Sequence, residues 1–357
     1  MSVLLERRLR DPDALCAGNK RRVSPRFFGD RPNALEIGLV NNMPDAALEQ
    51  TEAQFLSLLE SAADGIDVRV QIWSIPASER DENGRRHVAS RHIPFGRIWD
   101  SRLDGLIVTG AEPRERDLRD EAFWPILTQL FDWARERRVA MVCSCLASHA
   151  AVLHANGVER RPLAEKRFGV FACDTRSDHP LLSGAPGAFQ MPHSRWNELE
   201  EKSLREHGYR VLSTSESAGV DIFTGGEAPN LYFQGHPEYT ARTLLREYRR
   251  DVGRFLKSER DIYPSMPANY FDDKAVAALE TFRETALQRR HIEQLAGFPT
   301  AIADAGLRDT WRPAAVLIFR NWLKHMLARK ANAGHAGVQG LSNGGVGSLA
   351  EQRMGTL

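Results

Sequence analysis

Between residues 34 and 157, short apolar runs alternate with longer segments that carry apolar residues on one helical face. The predicted strands are 34–40, 68–75, 104–110 and 139–142, and the predicted helices are 45–62, 120–138 and 146–156. Short apolar strands in alternation with amphipathic helices are typical of an α/β fold. The sequence therefore predicts a mostly parallel sheet with helices on both faces.

The second half of the chain continues this alternation less regularly. Strands are predicted at 168–171, 209–214, 220–223 and 231–234, a loop at 190–195, and helices at 237–256, 270–294 and 311–330. The flanking segments have a different composition. Residues 1–33 are basic and broken by prolines, which predicts an irregular arm, and Gly, Ala, Ser and Asn dominate residues 331–357, which predicts a disordered tail. The expected catalytic domain is 34–330.

Composition excludes several classes of function. Lys and Arg number 48 against 47 Asp and Glu, and a net charge of +1 gives no reason to expect a nucleic acid or an anionic membrane as partner. No apolar run is long enough to cross a bilayer or to serve as a signal peptide, so we expect a cytoplasmic protein. Four cysteines without a CxxC pair predict neither a disulfide framework nor a metal site. The absence of a Walker or GxGxxG loop argues against a bound nucleotide cofactor.

Cys145 follows a predicted buried strand and precedes a predicted helix. A sharp strand-to-helix turn exposes the residue at the turn, and a helix N-terminus favours a thiolate. Ligands of such sheets bind outside the carboxyl ends of the strands, where this turn and the loops 41–45 and 111–116 are expected to meet. Cys145 is therefore a candidate nucleophile. The alternative is that Cys143 and Cys145 are both small buried thiols.

A cysteine nucleophile needs a base, and the base needs an orienting group. The segment Gly235-His-Pro-Glu238 follows an apolar strand, which would bring His236 to the same edge of the sheet as Cys145. Glu238 is close enough to fix the imidazole tautomer. His149 is a second candidate base, although its place one turn along the helix directs it down the same face. The alternative for His236 is simple packing at a strand end.

Several motifs together resemble the homoserine O-succinyltransferase family. They are Asn42-Met-Pro44, Thr51-Glu52, Gln54-Phe-Leu56, Asp104-Gly-Leu-Ile-Val-Thr-Gly-Ala111, Phe123-Trp-Pro125, Pro192-His-Ser-Arg195 and Gly235-His-Pro-Glu-Tyr239, with weaker matches at Arg250-Asp251 and Asn321-Trp-Leu323. The resemblance covers roughly 34–330. Each fragment is weak alone, but their combination in this order is specific.

The resemblance implies a fold similar to class I glutamine amidotransferases (flavodoxin-like) and an acyl transfer from an acyl-CoA co-substrate to L-homoserine through a cysteine thioester. It also implies a homodimer, with no permanently bound cofactor. Counting back from Gly157, which closes the helix, the family's nucleophile matches Cys145. The base then matches His236 and its partner Glu238.

The family's substrate-contacting positions match Lys166, Ser194 and Arg250, which sequence alone would treat as ordinary solvated residues. Arg114 aligns with the family's acyl-specificity position and could pair with a succinyl carboxylate, which favours succinyl over acetyl. One departure is clear: family members commonly carry a lysine just after Met-Pro, whereas Asp45 stands here. Backbone N–H groups of Leu146 and of the 41–43 loop are expected to stabilise the oxyanion instead.

The resulting hypothesis is a homoserine O-succinyltransferase of methionine biosynthesis that uses Cys145, His236 and Glu238. Acetyl-CoA as donor and serine as acceptor remain alternatives. A glutamine amidotransferase-like hydrolase with the same Cys and His is another. A catalytically silent binding module that kept the fold is the third.

Overall fold

The computed structural model describes residues 3–5, 34–77 and 79–342, with the backbone alone described for 3–5 and 333–342. The described residues form the strands β1 (Val3–Leu5), β2 (Leu35–Val40), β3 (Val68–Trp73), β4 (Gly105–Val108), β5 (Ala140–Ser144), β6 (Arg161–Thr175), β7 (Ala188–Glu198), β8 (Arg210–Ser215), β9 (Gly219–Thr224) and β10 (Leu231–Phe233). The helices are α1 (Asp45–Ala63), α2 (Glu82–Arg91), α3 (Trp124–Glu136), α4 (Leu146–Asn156), α5 (Glu201–Glu206), α6 (Thr243–Leu256), α7 (Asp273–Gln288), α8 (Thr300–Ala305) and α9 (Arg312–Ser342). Short 3₁₀ helices span Phe95–Asp100, Leu118–Asp120, Pro180–Leu182 and Ile292–Gly297.

The strands form one ten-stranded sheet in the order β1-β3-β2-β4-β5-β10-β9-β8-β6-β7. Neighbours from β1 to β10 in this order pair in parallel, and neighbours from β10 to β7 pair antiparallel. The predicted α/β fold is confirmed. The sheet is mixed, with its parallel half built from the regular alternation in the first part of the chain.

Two apolar cores lie on opposite faces of the sheet. On one face, α1 and α9 pack against the strands through side chains such as Phe55 and Trp322, which are fully buried. On the other face, α3 and α4 pack through Leu130 and Val152, which are also fully buried. Helices therefore cover both faces, as predicted. Among the described helices, none has the length and apolar character that crossing a membrane requires.

A third core joins the C-terminal helices to the antiparallel half of the sheet. Tyr248 of α6, Phe282 of α7 and Trp311 belong to it, together with Phe168 of β6. The indole nitrogen of Trp311 donates to the carbonyl of Tyr239 at 2.9 Å. This core consequently holds the segment after His236 against the sheet.

The prediction of a loop at 190–195 is wrong. This segment lies within β7 and pairs with β6. The reason for the error is Pro192, which cannot donate to a β-ladder. Proline is nonetheless tolerated on the edge strand of a sheet, and β7 is the last strand in this one. Ser194 therefore sits on a strand, and its position is fixed by the ladder.

Two predicted boundaries also differ from the structure. β1 lies within the arm predicted for 1–33 and pairs with β3. Without β1, the outer backbone N–H and C=O groups of β3 would have no strand to pair with. The rest of the predicted arm lies outside the described residues. α9 continues through Ser342 rather than ending at 330, since alanine is the residue that most favours a helix. Residues 343–357 of the predicted tail lie outside the described residues.

Helix α6 begins at Thr243, later than the start predicted at Pro237. The amide of Thr240 donates to the Thr243 hydroxyl at 3.1 Å, and the carbonyl of Tyr239 is held by Trp311. These contacts occupy backbone groups that a helix would need. The segment after His236 is therefore a fixed loop that leads into α6.

Candidate active site

Cys145 lies at the turn between β5 and α4, at the carboxyl edge of the parallel half of the sheet. Its backbone has φ 52° and ψ −112°, in a region that side-chain-bearing residues rarely adopt. The amide of Cys145 donates to Phe233 of the neighbouring strand at 2.8 Å, and the Ser148 hydroxyl donates to the same carbonyl at 2.9 Å. These bonds on both sides hold the turn in its strained conformation, with the thiol only partly buried.

Cys143 differs from Cys145 in its surroundings. It lies within β5, and burial raises the pKa of its thiol far above the ordinary value, so it stays protonated. At the other end of α4, Gly157 caps the helix with φ 72°, a conformation that suits glycine. The helix assumed in counting back from Gly157 to Cys145 is thus present.

His236 and Glu238 form a buried pair that contacts the residue before Cys145. His236 Nδ1 lies 2.9 Å from Glu238 Oε1, and both side chains are buried. The Ser144 hydroxyl, one residue before Cys145, lies 3.4 Å from Glu238 Oε1. The backbone amide of His236 donates to Pro192 at 2.8 Å. The carboxylate is therefore anchored from β5, and the imidazole from β7.

The pKa of His236 reflects opposing effects. Burial acts to lower it, but the charge of Glu238 and the interaction with Cys145 outweigh burial and raise the pKa well above the ordinary value. Cys145 thus acts directly on the imidazole. Nε2, the nitrogen not used by Glu238, is buried and has no hydrogen-bond partner among the described residues. It is the nitrogen available to exchange a proton with a reacting group.

His149, the second candidate base, is occupied elsewhere. Its Nε2 lies 3.1 Å from the side-chain oxygen of Gln234. Burial, with a smaller effect from Arg195 and Arg160, lowers the pKa of His149 to about 3. It is a neutral histidine in the protein interior.

Gly110 brings the loop after β4 against the Cys145 turn. A Cβ added at Gly110 would lie 3.6 Å from the amide nitrogen of Leu146 and 3.8 Å from the Cβ of Cys145. Leu146 is the first residue of α4, where amide groups have no intrahelical acceptor. The lack of a side chain at Gly110 keeps space open beside this amide.

The amides of the 41–43 loop do not match the sequence-based expectation. Asn41 N donates to Trp73, Asn42 N to the Thr109 hydroxyl, and Met43 N to the side chain of Asn41. These groups are already satisfied within the protein. An oxyanion role for them is therefore not supported, which leaves Leu146 as the better donor.

Beside Asp45, which stands where a lysine was expected, lies a buried arginine. Arg80 Nη1 lies 2.8 Å from Asp45 Oδ1 and 2.9 Å from the carbonyl of Met43, and Nη2 donates to the Ser74 hydroxyl at 2.7 Å. The Arg80 side chain is only 7% exposed. The charge of Asp45 is thus neutralised, and the loop after β2 is tied to residues before α2.

The three predicted substrate-binding residues converge on two carboxylates of α6. Ser194 donates to Glu247 Oε2 at 2.6 Å, and Lys166 Nζ lies 3.5 Å from both Glu247 Oε2 and Asp251 Oδ2. Arg250 Nη2 lies 3.2 Å from Asp251 Oδ1. A cluster of alternating charges of this kind can bind both ends of a zwitterion.

Tyr239 connects this charged cluster to His236. Its ring stacks on the imidazole with 4.2 Å between centroids, and its hydroxyl donates to Glu247 Oε1. Burial first, and then Glu247 and Glu238, raise the pKa of Tyr239 well above the ordinary value, so the hydroxyl remains a donor. Tyr239 and Glu247 were missed by sequence reasoning as functional residues, since Tyr239 was noted only within a motif and nothing in α6 distinguished Glu247.

Arg114 lies away from this cluster. Its guanidinium is exposed and pairs with Glu79 at 2.8 Å, while its backbone amide donates to Glu121 at 2.7 Å. Arg160 contacts the same loop, where its guanidinium donates to the carbonyl of Arg116 at 2.9 Å. Burial lowers the pKa of Arg160, whereas the charge of Cys145 acts in the opposite direction. Arg114 thus lies in the 111–116 loop and Arg160 lies against it. Arg160 was not predicted as a site residue.

Comparison with known proteins places this site in a family. The family model described as homoserine O-succinyltransferase matches residues 27–333. Over 300 residues, the chain is 45% identical to a homoserine O-succinyltransferase of Methylorubrum extorquens, which covers 84% of this chain and 89% of that protein. A protein of the same name from Bradyrhizobium japonicum is 42% identical over 330 residues, covering 90% of this chain and 97% of that one.

Among solved structures, a glutamine amidotransferase from Thermotoga maritima aligns over 82% of this chain and 98% of its own, at 12% identity and a TM-score of 0.43. That score is too low to support an argument about the reaction. The family match, by contrast, spans strands β2 to β10 and every residue of the site described above. The chain belongs to the homoserine O-succinyltransferase family, and it is a transferase.

Proposed function

We propose that this protein transfers a succinyl group from succinyl-CoA to the hydroxyl of L-homoserine through a thioester on Cys145, as a step of methionine biosynthesis. The observation that supports this best is the strained Cys145 turn next to the buried His236–Glu238 pair. A thiol, a base and an orienting carboxylate are the parts that covalent acyl transfer requires.

The first half-reaction forms the acyl-enzyme. The Cys145 thiolate attacks the thioester carbonyl of succinyl-CoA, and the oxyanion of the tetrahedral intermediate receives a hydrogen bond from the amide of Leu146. The intermediate collapses as the C–S bond to CoA breaks. His236, protonated because Glu238 and Cys145 raise its pKa, donates the Nε2 proton to the departing CoA sulfur.

The second half-reaction uses the same imidazole as a base. Acylation removes the charge on Cys145, and with it one of the two influences that raise the pKa of His236. The neutral imidazole then accepts the hydroxyl proton of homoserine as the oxygen attacks the thioester. Collapse of this intermediate releases O-succinylhomoserine and the Cys145 thiolate, while His236 keeps the proton, which restores the starting state. Glu238 keeps the proton on Nδ1 throughout, so that Nε2 faces the substrate.

The charged cluster on α6 is suited to the amino acid. Glu247 and Asp251 can accept hydrogen bonds from the α-ammonium group, and Lys166 and Arg250 can bind the carboxylate. Ser194, held by Glu247, can contact the acceptor hydroxyl or carboxylate. Tyr239 places this cluster next to His236, where the hydroxyl must lie to be deprotonated.

Selection of the acyl group requires a cation for the free carboxylate of succinate. Arg114 remains the proposed residue, and the succinyl carboxylate would replace Glu79 as its partner. Arg160 is a neighbour whose guanidinium is held by the carbonyl of Arg116 at 2.9 Å. Acetyl-CoA offers no carboxylate to either arginine, which favours succinyl-CoA as donor.

A panel of substrates tests the proposal. Succinyl-CoA and acetyl-CoA are each combined with homoserine and with serine, and release of free CoA is followed. Turnover should be highest by at least about tenfold with succinyl-CoA and homoserine. Ammonia release from glutamine without turnover of any acyl-CoA would instead indicate the hydrolase alternative. Preference for acetyl-CoA or serine would reject the specificity proposed here.

The setting of the reaction also remains a proposal. We expect the enzyme to act as a homodimer, which its resemblance to the family implies, and in the cytoplasm, as predicted from its sequence. Light scattering of the purified full chain measures the oligomeric state. A monomeric mass would reject the dimer.

A further inference from the structure

Three buried side chains meet on the far side of the loop that follows β2. Glu52 of α1 lies at their centre, with His92 Nε2 at 2.8 Å from Oε1 and His87 Nε2 at 2.9 Å from Oε2. The side chains of Glu52 and His92 are 1% exposed, and that of His87 is 8% exposed. The catalytic scheme uses none of them.

We propose that Glu52, His87 and His92 form a binding site for one divalent transition-metal cation, with Zn²⁺ as its natural probe. The ligand atoms of the three residues all lie within 4.8 Å of one another. One carboxylate and two imidazoles are a donor set that binds Zn²⁺ with a fourth position left for water. This inference does not depend on the proposed acyl transfer.

The outer contacts of His87 favour metal binding through Nε2. Nδ1 of His87 lies 3.3 Å from Glu49 Oε1, so a carboxylate stands beside this ring nitrogen. Metal-binding histidines usually donate their other ring N–H in this way, which fixes the tautomer. In the tautomer with the proton on Nδ1, Nε2 of His87 would direct its lone pair toward both oxygens of Glu52, at 3.0 and 2.9 Å. The Nε2 lone pair and the Glu52 carboxylate would then be two acceptors in contact, and either an additional proton or a cation would have to lie between them.

His92 has a related feature. Its Nε2 faces Glu52, whereas its buried Nδ1 has no hydrogen-bond partner among the described residues. If His92 donates from Nε2 to Glu52, the lone pair of Nδ1 is left unsatisfied in the interior, which is unfavourable. If a metal occupies Nε2 instead, Nδ1 carries the proton and is a buried donor without a partner among the described residues.

A bound cation requires only a small expansion of the cluster. Ligand atoms around a tetrahedral Zn²⁺ are about 3.4 Å apart, given zinc–ligand distances near 2.1 Å. The present separations of 2.8 to 3.0 Å must therefore open slightly. Arg91 is the charged group that opposes a cation, with Nη1 4.0 Å from Glu52 Oε2, but its side chain is 40% exposed and is free to turn toward water.

A second buried group offers a useful contrast. Cys173, His193 and Asp221 also lie close enough to share an ion. Here Arg195 Nε donates to Nδ1 of His193, at 3.4 Å, so that Nε2 carries the proton and faces Asp221. A protonated nitrogen cannot bind a metal. The contrast makes the Cys173 group a matched control.

A metal at the proposed site would join two parts of the fold. His87 lies on α2 and His92 caps it, whereas Glu52 belongs to α1. Glu52 also accepts from Asn41 at 3.3 Å, and Asn41 orders the loop after β2. Binding would fix the segment that contains α2 against α1. It would also stabilise the folded chain by mass action.

The test uses the purified full-length chain, dialysed against a chelator and then titrated with Zn²⁺ in a calorimeter. We expect one Zn²⁺ per chain, and an affinity at least about 100-fold weaker in Glu52→Gln and in His92→Gln. Cys173→Ala and Cys145→Ala should bind as tightly as the wild type. Undiminished binding in both Glu52→Gln and His92→Gln, or no binding by the wild type, would overturn the proposal.

A second measurement covers the case in which the variants fold poorly. Zn²⁺ should raise the thermal unfolding midpoint of the chelated wild type, by an amount that grows with its concentration. Co²⁺ in place of Zn²⁺ should give the visible absorption of a four-coordinate site without a thiolate ligand. A thiolate spectrum, or an unfolding midpoint that does not respond to Zn²⁺, would contradict the site.

Discussion

His236 Nδ1 lies 2.9 Å from Glu238 Oε1 inside the protein, and Glu238 Oε1 lies 3.4 Å from the hydroxyl of Ser144, the residue before Cys145. The contact between His236 and Glu238 fixes the imidazole tautomer and leaves Nε2 as the nitrogen that we propose exchanges protons with the substrates. It also sets the charge of the site, because Glu238 stabilises the imidazolium that burial alone would disfavour.

The first prediction concerns Glu238→Gln. Against the effect of burial, Glu238 and Cys145 raise the pKa of His236, so the stability that the ion pair contributes is fully present below about pH 6.5, the unfolded value. It is lost as the pH rises through the raised pKa of the folded state. Urea unfolding should therefore show the variant to be destabilised most at pH 5.5 to 6.5, with the difference shrinking at alkaline pH.

The same variant should lower kcat by about 10²- to 10⁴-fold, since the imidazole loses its orienting charge. Glu216→Gln, at an exposed position, is the control and should change neither property. A pH-independent loss of stability would mean that Glu238 serves packing alone.

The second prediction concerns Gly110→Ala. The added methyl group fits at ordinary contact distances, 3.6 Å from Leu146 N, but it covers the amide proposed to stabilise the oxyanion. Acyl-enzyme formation should slow by about 10²-fold while stability changes by less than about 0.5 kcal/mol. Gly96→Ala is the matched control, because an added Cβ there has nothing within 4 Å. Acylation at the wild-type rate in Gly110→Ala would remove Leu146 from the oxyanion site.

The third prediction concerns strain at Cys145. Because φ is 52° there, Cys145→Gly should be about 1 kcal/mol more stable than Cys145→Ala in urea unfolding, as glycine adopts this conformation without steric cost. At Cys143, inside β5, the order should reverse and alanine should be the more stable. Equal stability of the two Cys145 variants would argue that the turn stores no strain.

The fourth prediction separates acceptor binding from acylation. Glu247→Gln removes a negative charge from the cluster around Lys166 and Ser194. The KM for homoserine should rise at least about tenfold, and the rate of acyl-enzyme formation should stay within about twofold of the wild type. Glu280→Gln, on the surface of α7, supplies the control. A selective loss of acylation would place Glu247 in donor binding instead.

The fifth prediction tests acyl selection. Arg114→Gln should reduce the preference for succinyl-CoA over acetyl-CoA by at least about tenfold, because the variant lacks the cation that we propose pairs with the succinyl carboxylate. Arg119→Gln is the matched control, since this arginine is also exposed and pairs with Asp117 and Glu159. An unchanged preference in Arg114→Gln together with a reduced one in Arg160→Met would transfer the role to Arg160.

The parallel half of the sheet was predictable because its strands are short, apolar and separated by clear helices. β2 was predicted within one residue, and α4 ends at the Asn156-Gly157 pair expected to close it. The antiparallel half was less predictable. Strand direction leaves no mark on a run of apolar residues, and Pro192 concealed an edge strand that pairs through its other groups.

The site could be predicted only where chemistry follows directly from local sequence. Cys145 lies at a strand–helix junction and His236 after a strand, so both were accessible to sequence reasoning. Tyr239 and Glu247 are joined to the site by side-chain contacts that local sequence does not show. The Tyr239 ring stacks on His236, and the Tyr239 hydroxyl donates to Glu247. Arg80, which neutralises Asp45, lies in the segment between β3 and α2, and its contact with Asp45 depends on the tertiary structure.

The central claim is a thioester on Cys145, and intact-mass measurement after mixing with succinyl-CoA tests it most directly. The wild-type chain should gain the mass of one succinyl group, located on Cys145 by peptide mapping, and should lose it when homoserine is added. Cys145→Ala should gain nothing, whereas Cys143→Ala should behave like the wild type. A wild-type chain that turns over without ever gaining this mass, or a Cys145→Ala chain that still gains it, would contradict the account.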